Sequence, residues 1–221
     1  DFAFFDRINQ AKHEETDDWW NGMNRIYNVL CYDYLYPNPK SVMAFIENHD
    51  TDRFLGEGKD TLALKQALAL LLTVNRIPQL YYGTEILMNG TKSVTDGYVR
   101  KDFPGGWAGD ARNAFTAKGR TKAQNDMFGW ISRLLHWRQG NDVITKGSQT
   151  QFCTQRGVYV VARQYNGKNV MTVINGRNAA AELDVKRYAE IIGNAEKAVD
   201  VTTGRNVIIS HNVKLRPRQT M

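Results

Sequence analysis

The chain has 221 residues, of which 42% are hydrophobic and 24% charged, enough apolar material for a packed core in one or two domains and an ordinary globular composition. Its formal net charge of +6 comes from scattered Lys and Arg with no run on one periodic face, which reads as a solvated surface and argues against a nucleic-acid partner. No stretch reaches the roughly 18 to 20 apolar residues that a membrane span requires, and Cys31 and Cys153 fit no metal or redox spacing, so they pair only if the fold brings them together.

In chain order, Asp1-Phe2-Ala3-Phe4-Phe5 reads as the end of a strand, followed at once by a helical pattern through Ile8 and Ala11. A globular domain rarely starts inside a buried strand, so the expectation is a chain that begins partway through a domain. Trp19, Trp20, Met23, Ile26 and Tyr27 come next at helical spacing, which places the two tryptophans in the core. Pro37-Asn38-Pro39 breaks the chain. Val42-Met43-Ala44-Phe45-Ile46 then runs uninterrupted into Glu47-Asn48-His49-Asp50-Thr51-Asp52-Arg53, the pattern of a strand buried on both faces that delivers polar groups from its C-terminal end. In parallel barrels and open α/β sheets that end holds the reacting groups, which makes His49 and Asp50 the first candidates. Taken alone, the same residue types also suit a turn.

Beyond Gly56-Glu57-Gly58 a helix is expected from about Thr61 to Asn75, with Asp60 as its N-cap. Leu62, Leu64, Ala67, Leu68, Leu71, Leu72 and Val74 are apolar over more than one face, as in a crossover helix covered on two sides. A strand from Ile77 to Tyr82, with Pro78 near its start, completes a βαβ unit. The loop from about Thr84 to Lys122 is rich in Gly, Thr and Asp and longer than most connections, which suggests a working loop. Met127, Trp130, Ile131, Leu134, Leu135 and Arg138 give a helical period that closes at Gly140. From about Lys146 the period becomes that of strands: Val158 to Tyr165 and Val170 to Ile174 are joined by the hairpin signal Asn166-Gly167-Lys168, and short strands continue near Val201, Ile208 and Lys214.

Two motifs carry a resemblance. Phe45-Ile46-Glu47-Asn48-His49-Asp50 resembles the fourth signature segment of the α-amylase family of glycoside hydrolases, at the end of the seventh strand of a (β/α)8 barrel. Pro78-Gln79-Leu80-Tyr81-Tyr82-Gly83-Thr84-Glu85 resembles that family's eighth strand and its YYG-x-E ending. The segment between them, and Asp102-Phe103-Pro104-Gly105-Gly106-Trp107, look closest to the neopullulanase and cyclomaltodextrinase branch.

The resemblance implies an α/β fold, the C-terminal part of a TIM barrel (strands six to eight, residues 1–145) followed by a small antiparallel β-sandwich domain (residues 146–221). It implies a retaining glycosidase acting on α-glucosidic bonds in maltooligosaccharides, cyclodextrins or pullulan. In that chemistry one carboxylate attacks and another gives and takes the proton, the two about 5 Å apart. Asp50 occupies the position of the family's third carboxylate, which holds the distorted sugar by its hydroxyls near the transition state. By the same resemblance His49 donates to hydroxyls beside the cleaved bond, and Arg53 compensates or orients the carboxylate.

Asp96 and Arg100 have the Asp-x-x-x-Arg spacing of a pair that contacts glucose units in that branch; an exposed ion pair is the alternative. Trp107 either stacks on a sugar face or anchors its loop, and Trp19 and Trp20 have the same stacking alternative to the core. Glu85 is expected to be structural. The nucleophile and general acid belong to segments absent from these residues, so the polypeptide alone is expected to be inactive, with the upstream barrel as its partner. A transglycosylase, or a glucan-binding homologue without activity, stays open. No cofactor is legible; calcium occurs in relatives, but no ligand cluster for a metal is visible here. Apolar surface around Phe2, Phe4 and Phe5 is expected to be exposed and to make the isolated chain pair with itself.

Overall fold

The computed structural model describes residues 1–15 and 18–221. The chain opens with helix α1 (Phe2–Ala11), capped by the Asp1 carboxylate, which accepts from the Phe4 amide at 2.9 Å. Phe4, Ile8 and Ala11 are one face of that helix and are buried, so the expected strand end is helical instead. The correction extends to the expected apolar surface: Phe2 is exposed, but Phe4 belongs to the core, and Phe5 stacks on Phe45 with ring centroids 5.3 Å apart. Helix α2 (Asn24–Cys31) buries Ile26 and Leu30. Trp19 and Trp20 are 63% and 75% exposed, contrary to the expected core position. They lie in a turn ahead of α2, where the Asp18 carboxylate accepts from the Trp20 amide at 2.9 Å, so they do not share the buried face of Met23.

Strand β1 (Met43–Ala44), helix α3 (Thr61–Thr73) and strand β2 (Ile77–Pro78) form the expected right-order βαβ unit, with the strands parallel and Met43 opposite Ile77. Asp60 caps α3 by accepting from the Ala63 amide at 2.9 Å. Both strands are shorter than their apolar runs. The Gln79 amide still bonds the Ala44 carbonyl at 2.8 Å, and then the backbone leaves the ladder for a 3-10 turn at Thr84–Ile86. With one neighbour each, these strands make an open pair and not a closed barrel.

The long loop that follows holds a short helix α4 (Asp96–Val99) and leads to α5 (Lys122–Arg138). Helix α5 starts a turn before its periodic apolar residues because Thr121 and Gln124 form a reciprocal capping box. The chain reverses at Gly140, φ 75°, into helix α6 (Asp142–Lys146).

A meander of β3 (Ser148–Gln155), β4 (Val158–Tyr165) and β5 (Lys168–Asn175) comes next, all antiparallel. Asn166 and Gly167 join the last two with φ of 48° and 72°, the paired left-handed conformation of a type I′ turn. Strand β6 (Ala181–Leu183), helix α7 (Ala189–Ile192), β7 (Lys197–Asp200), β8 (Arg205–Ile208) and β9 (Val213–Leu215) complete the chain, with β6 paired to β9 and β7 to β8. Strand β4 is buried on both faces. Tyr159 and Val161 join the core of α2, α3 and α5, while Val158 and Val160 pack with Leu183, Tyr188 and Leu215. No helix among the described residues is long and apolar enough to cross a membrane.

The C-terminal end of α3 is held by two arginines. Arg138 of α5 donates to the Leu72 carbonyl, and the fully buried Arg163 of β4 donates to the Thr73 and Gly147 carbonyls at 2.9 and 2.8 Å. Cations at a helix C-terminus complement its dipole. Burial, with a smaller contribution from Arg138, brings the pKa of Arg163 down to about 10, so it stays charged at neutral pH. Replacing it, Arg163→Met, keeps the apolar stem but leaves two buried carbonyls without donors. The expected result is a loss of about 2 kcal/mol, read as a lower urea midpoint with an unchanged slope.

Candidate functional site

Past β1 the backbone makes a tight polar turn. The Asn48 side-chain oxygen accepts from the Asp50 amide at 2.8 Å, and the Thr51 hydroxyl accepts from the Asn48 amide at 2.9 Å. Held this way, Asn48 and Thr51 are buried while the His49 and Asp50 side chains project outward, 61% and 60% exposed. His49 Nε2 lies 3.2 Å from Asp50 Oδ2.

The long loop then brings its charges to the same place. Arg100 Nη2 bonds Asp50 Oδ1 at 3.2 Å and Asp96 Oδ2 at 3.1 Å, and its Nε donates to the His49 carbonyl at 2.8 Å. Lys92 Nζ donates to the Asp50 carbonyl at 3.0 Å and sits 3.3 Å from Asp96 Oδ1. Asp96 and Arg100 therefore form an exposed ion pair, the alternative reading of their spacing, and it is joined to the His49–Asp50 segment from forty or more residues away.

Exposed ion pairs of this kind contribute only about 0 to 1 kcal/mol each to stability. What the cluster provides is chemistry: fixed carboxylate acceptors beside guanidinium and ammonium donors, a surface suited to a ligand with many hydroxyls. A groove of about 860 Å³ flanks it, with Asp50, Asp52 and Lys92 on one wall and Gln10 and His13 of the α1 region on the other.

Arg53 is placed differently from the expectation. It is 1% exposed and does not reach Asp50; its Nη1 donates to the Tyr82 carbonyl at 2.7 Å and to Glu47 Oε1 at 3.5 Å, and its Nε to the Val99 carbonyl at 2.9 Å. The guanidinium also lies over the Tyr81 ring, 4.0 Å from its centroid. Its carboxylate partner is the buried Glu47, which accepts from the Phe54 amide and the Thr84 hydroxyl. Burial pushes the Glu47 carboxyl above the usual glutamate range, opposed by Thr84, the Phe54 amide and Arg53. Arg53 thus supports the turn from behind.

Glu47 and Thr84 are the residues that sequence reasoning missed. The signal for Glu47 was an acidic residue directly after an apolar strand run and six before an arginine. Thr84 has the fixing role expected of its neighbour Glu85, which is half-buried. Trp107, 67% exposed, stands in a turn closed by Asp110, whose carboxylate accepts from the Trp107 amide at 3.3 Å. Among the described residues it shares no hydrogen bond, ion pair or ring contact with the Asp50 cluster. No group of three His, Cys, Asp or Glu among the described residues is arranged to hold a metal ion.

Residues 149–221 match the family model of the cyclo-malto-dextrinase C-terminal domain. Over most of its length the chain is similar to an α-amylase of Niallia circulans, 26% identical over 213 residues, covering 92% of this chain and 36% of the relative. It is similar also to a cyclomaltodextrin glucanotransferase of Paenibacillus macerans, 25% identical over 217 residues, covering 92% and 27%. These similarities support a place for the chain in the α-amylase family of glycoside hydrolases.

It spans roughly a quarter to a third of the curated α-amylase-family relatives it matches. A third relative, the cyclomaltodextrin glucanotransferase of Thermoanaerobacterium thermosulfurigenes, is 30% identical over 185 residues, covering 84% of this chain and 23% of its own length. Among solved α-amylase structures, that of Geobacillus thermoleovorans in complex with acarbose superposes with a TM-score of 0.75 at 20% identity, over 100% of this chain and 46% of that one. At that identity the likeness concerns the fold.

Proposed function

We propose that this chain works as part of a longer α-amylase-family enzyme that cleaves α-glucosidic bonds in maltooligosaccharides, cyclodextrins or pullulan with retention. Residues 1–145 supply barrel strands six to eight and residues 146–221 the C-terminal β-sandwich, while the nucleophile and the general acid come from outside these residues. The observation that carries the reading is Asp50: a carboxylate at the C-terminal end of a parallel strand, solvent-facing and held by Arg100 at 3.2 Å.

One Asp50 oxygen is engaged by Arg100 and the other lies 3.2 Å from His49 Nε2, but the exposed carboxylate has further lone pairs to accept from the hydroxyls of a sugar ring as it flattens, an interaction that strengthens towards the transition state. His49 donates to the same sugar. Arg100, bonded at once to Asp50, Asp96 and the His49 carbonyl, fixes both residues relative to each other. Arg53 and Glu47 position the turn and touch no substrate. Trp107 offers a ring face to a more distant glucose unit.

Transfer to a sugar acceptor uses the same residues, and several of the similar proteins are glucanotransferases. The C-terminal match to a cyclo-malto-dextrinase domain favours hydrolysis. Incubating the full-length polypeptide with a cyclodextrin and with a linear maltooligosaccharide tests this. Release of short reducing sugars from both supports hydrolysis; accumulation of cyclic or longer products replaces it with transfer, and an inert polypeptide leaves the scaffold reading. In the active polypeptide, Arg100→Ala is expected to raise KM for maltooligosaccharides about tenfold with a smaller fall in kcat, in steady-state kinetics, because it releases Asp96 and loosens the ground-state contacts.

A further inference from the structure

The long loop reaches the turn that carries Asp50 through two basic residues, and Lys92 grips that turn at two points. Its backbone amide donates to Asp52 Oδ1 at 2.6 Å, while its Nζ donates to the Asp50 carbonyl at 3.0 Å and lies 3.3 Å from Asp96 Oδ1. Asp50 and Asp52 flank the buried Thr51, whose hydroxyl accepts from the Asn48 amide at 2.9 Å. The turn is thus braced from within by Thr51 and from without by Lys92. The backbone that delivers Lys92 is itself fixed. The Arg53 amide donates to the Gly90 carbonyl at 3.0 Å, and the Gly90 amide donates to the Gly56 carbonyl at 2.8 Å. Gly90 has a φ of 148°, and a Cβ there would lie 3.0 Å from the Tyr98 carbonyl oxygen, an approach that only glycine permits without a shift. These bonds set where the Lys92 side chain starts, so its reach to Asp50 is built into the main chain of the loop and does not depend on a charge pair alone.

We propose that Lys92 is a positioning residue for Asp50, acting on its main chain and not on the sugar. The inference rests on the reading of Asp50 as the carboxylate that meets the distorted ring. The carbonyl that Lys92 holds belongs to the same residue as that carboxylate, so a charge-assisted bond there restricts the Asp50 backbone and with it the direction in which the carboxylate is aimed. Arg100 does the complementary work on the Asp50 side chain and on the preceding carbonyl, that of His49. The carboxylates of Asp50, Asp52 and Asp96 converge on this corner, and Lys92 and Arg100 supply the positive charge that offsets their mutual repulsion. A misplacement of about 1 Å in an active site costs up to about 100-fold in rate, so a loosened turn is expected to show in turnover.

The test compares Lys92→Met, Lys92→Arg, Asp50→Asn and the double replacement Lys92→Met with Asp50→Asn in the full-length polypeptide, by steady-state cleavage of a maltooligosaccharide and by urea unfolding. Lys92→Met keeps the aliphatic stem and the backbone bond to Asp52, so the unfolding midpoint is expected to stay at the wild-type value while kcat falls about tenfold and KM changes less than about twofold. Lys92→Arg keeps a cationic donor and is expected to restore most of the rate. On top of Asp50→Asn, Lys92→Met is expected to remove nothing further, because the lysine acts through the carboxylate already lost. A raised KM with unchanged kcat would make Lys92 a substrate contact, a lowered midpoint would make it a structural residue, and an undiminished loss in the Asp50→Asn background would make it an independent contributor. Each of these overturns the proposal, as does wild-type turnover by Lys92→Met beside an impaired Asp50→Asn. If Asp50→Asn itself has no effect, the reading of Asp50 fails first and the positioning role falls with it.

Discussion

Asp50→Asn in the full-length polypeptide is expected to reduce kcat for maltooligosaccharide cleavage by about 10³-fold or more, while binding of the same sugar changes no more than a few-fold. The substitution keeps the shape of the side chain and its place in the turn, since the hydrogen bond from the Asp50 amide to Asn48 is made by backbone. What it removes is the negative charge. A carboxylate that accepts from ring hydroxyls is worth most where positive charge develops on the sugar, so its loss appears in the transition state and little in the ground state. A factor of 10³ corresponds to about 4 kcal/mol of barrier. Initial rates of reducing-sugar release, set beside calorimetric titration with the same oligosaccharide, separate the two effects. Equal turnover by both proteins would return His49 and Asp50 to the status of turn residues.

The second large effect is expected from Arg53→Leu, through stability. Removing one member of a buried ion pair costs about 3 to 5 kcal/mol, because the other is left uncompensated. Here the carbonyls of Tyr82 and Val99 also lose their donor. Urea unfolding of the full chain measures the loss, and the double replacement Arg53→Leu with Glu47→Leu is expected to recover a large part of it.

The pair also has a pH signature. The folded-state pKa of Glu47 is raised above its unfolded value, chiefly by burial. For a raised pKa, the stability contribution is complete below the unfolded glutamate value and is lost as pH rises through the folded one. Arg53 opposes the rise, so Arg53→Leu moves the folded value further up and extends that loss to higher pH. A pH series of unfolding midpoints for both proteins shows a steeper decline above the glutamate range in the variant. Parallel curves would mean that Glu47 and Arg53 are not electrostatically linked.

The motifs made much of this arrangement readable. The apolar run into Glu-Asn-His-Asp located the turn that exposes His49 and Asp50, and the Asp-x-x-x-Arg spacing located the loop residues that join it, because both depend on short-range order that a sequence states directly. The Asp60 cap, the Asn-Gly hairpin and the α5 period were legible for the same reason. Elsewhere the deciding partner lay far along the chain or outside the window of a periodic pattern. Phe2 to Phe5 look like strand residues until Asp1 is seen to cap a helix. Trp19 and Trp20 fit a helical period with Met23, but the turn at Asp18 keeps them off the helix.

Arg53 showed its spacing from Asp50 but not its direction, which is set by a buried glutamate and by two carbonyls 29 and 46 residues away. The shortness of β1 and β2 reflects a sheet with only two members, and no local pattern encodes the number of neighbours.

The clamp formed by Arg53 has a consequence for how the long loop can vary. Its guanidinium ties together the exit from β2 at Tyr82 and the end of α4 at Val99, and its amide bonds the Gly90 carbonyl at 3.0 Å between them. The first part of the loop is therefore fastened at both ends to the segment that presents His49 and Asp50, whereas the stretch carrying Trp107 lies beyond the last fastening. That outer stretch is a natural cassette. Its length and aromatic content can be exchanged with the turn that carries His49 and Asp50 left in its original geometry.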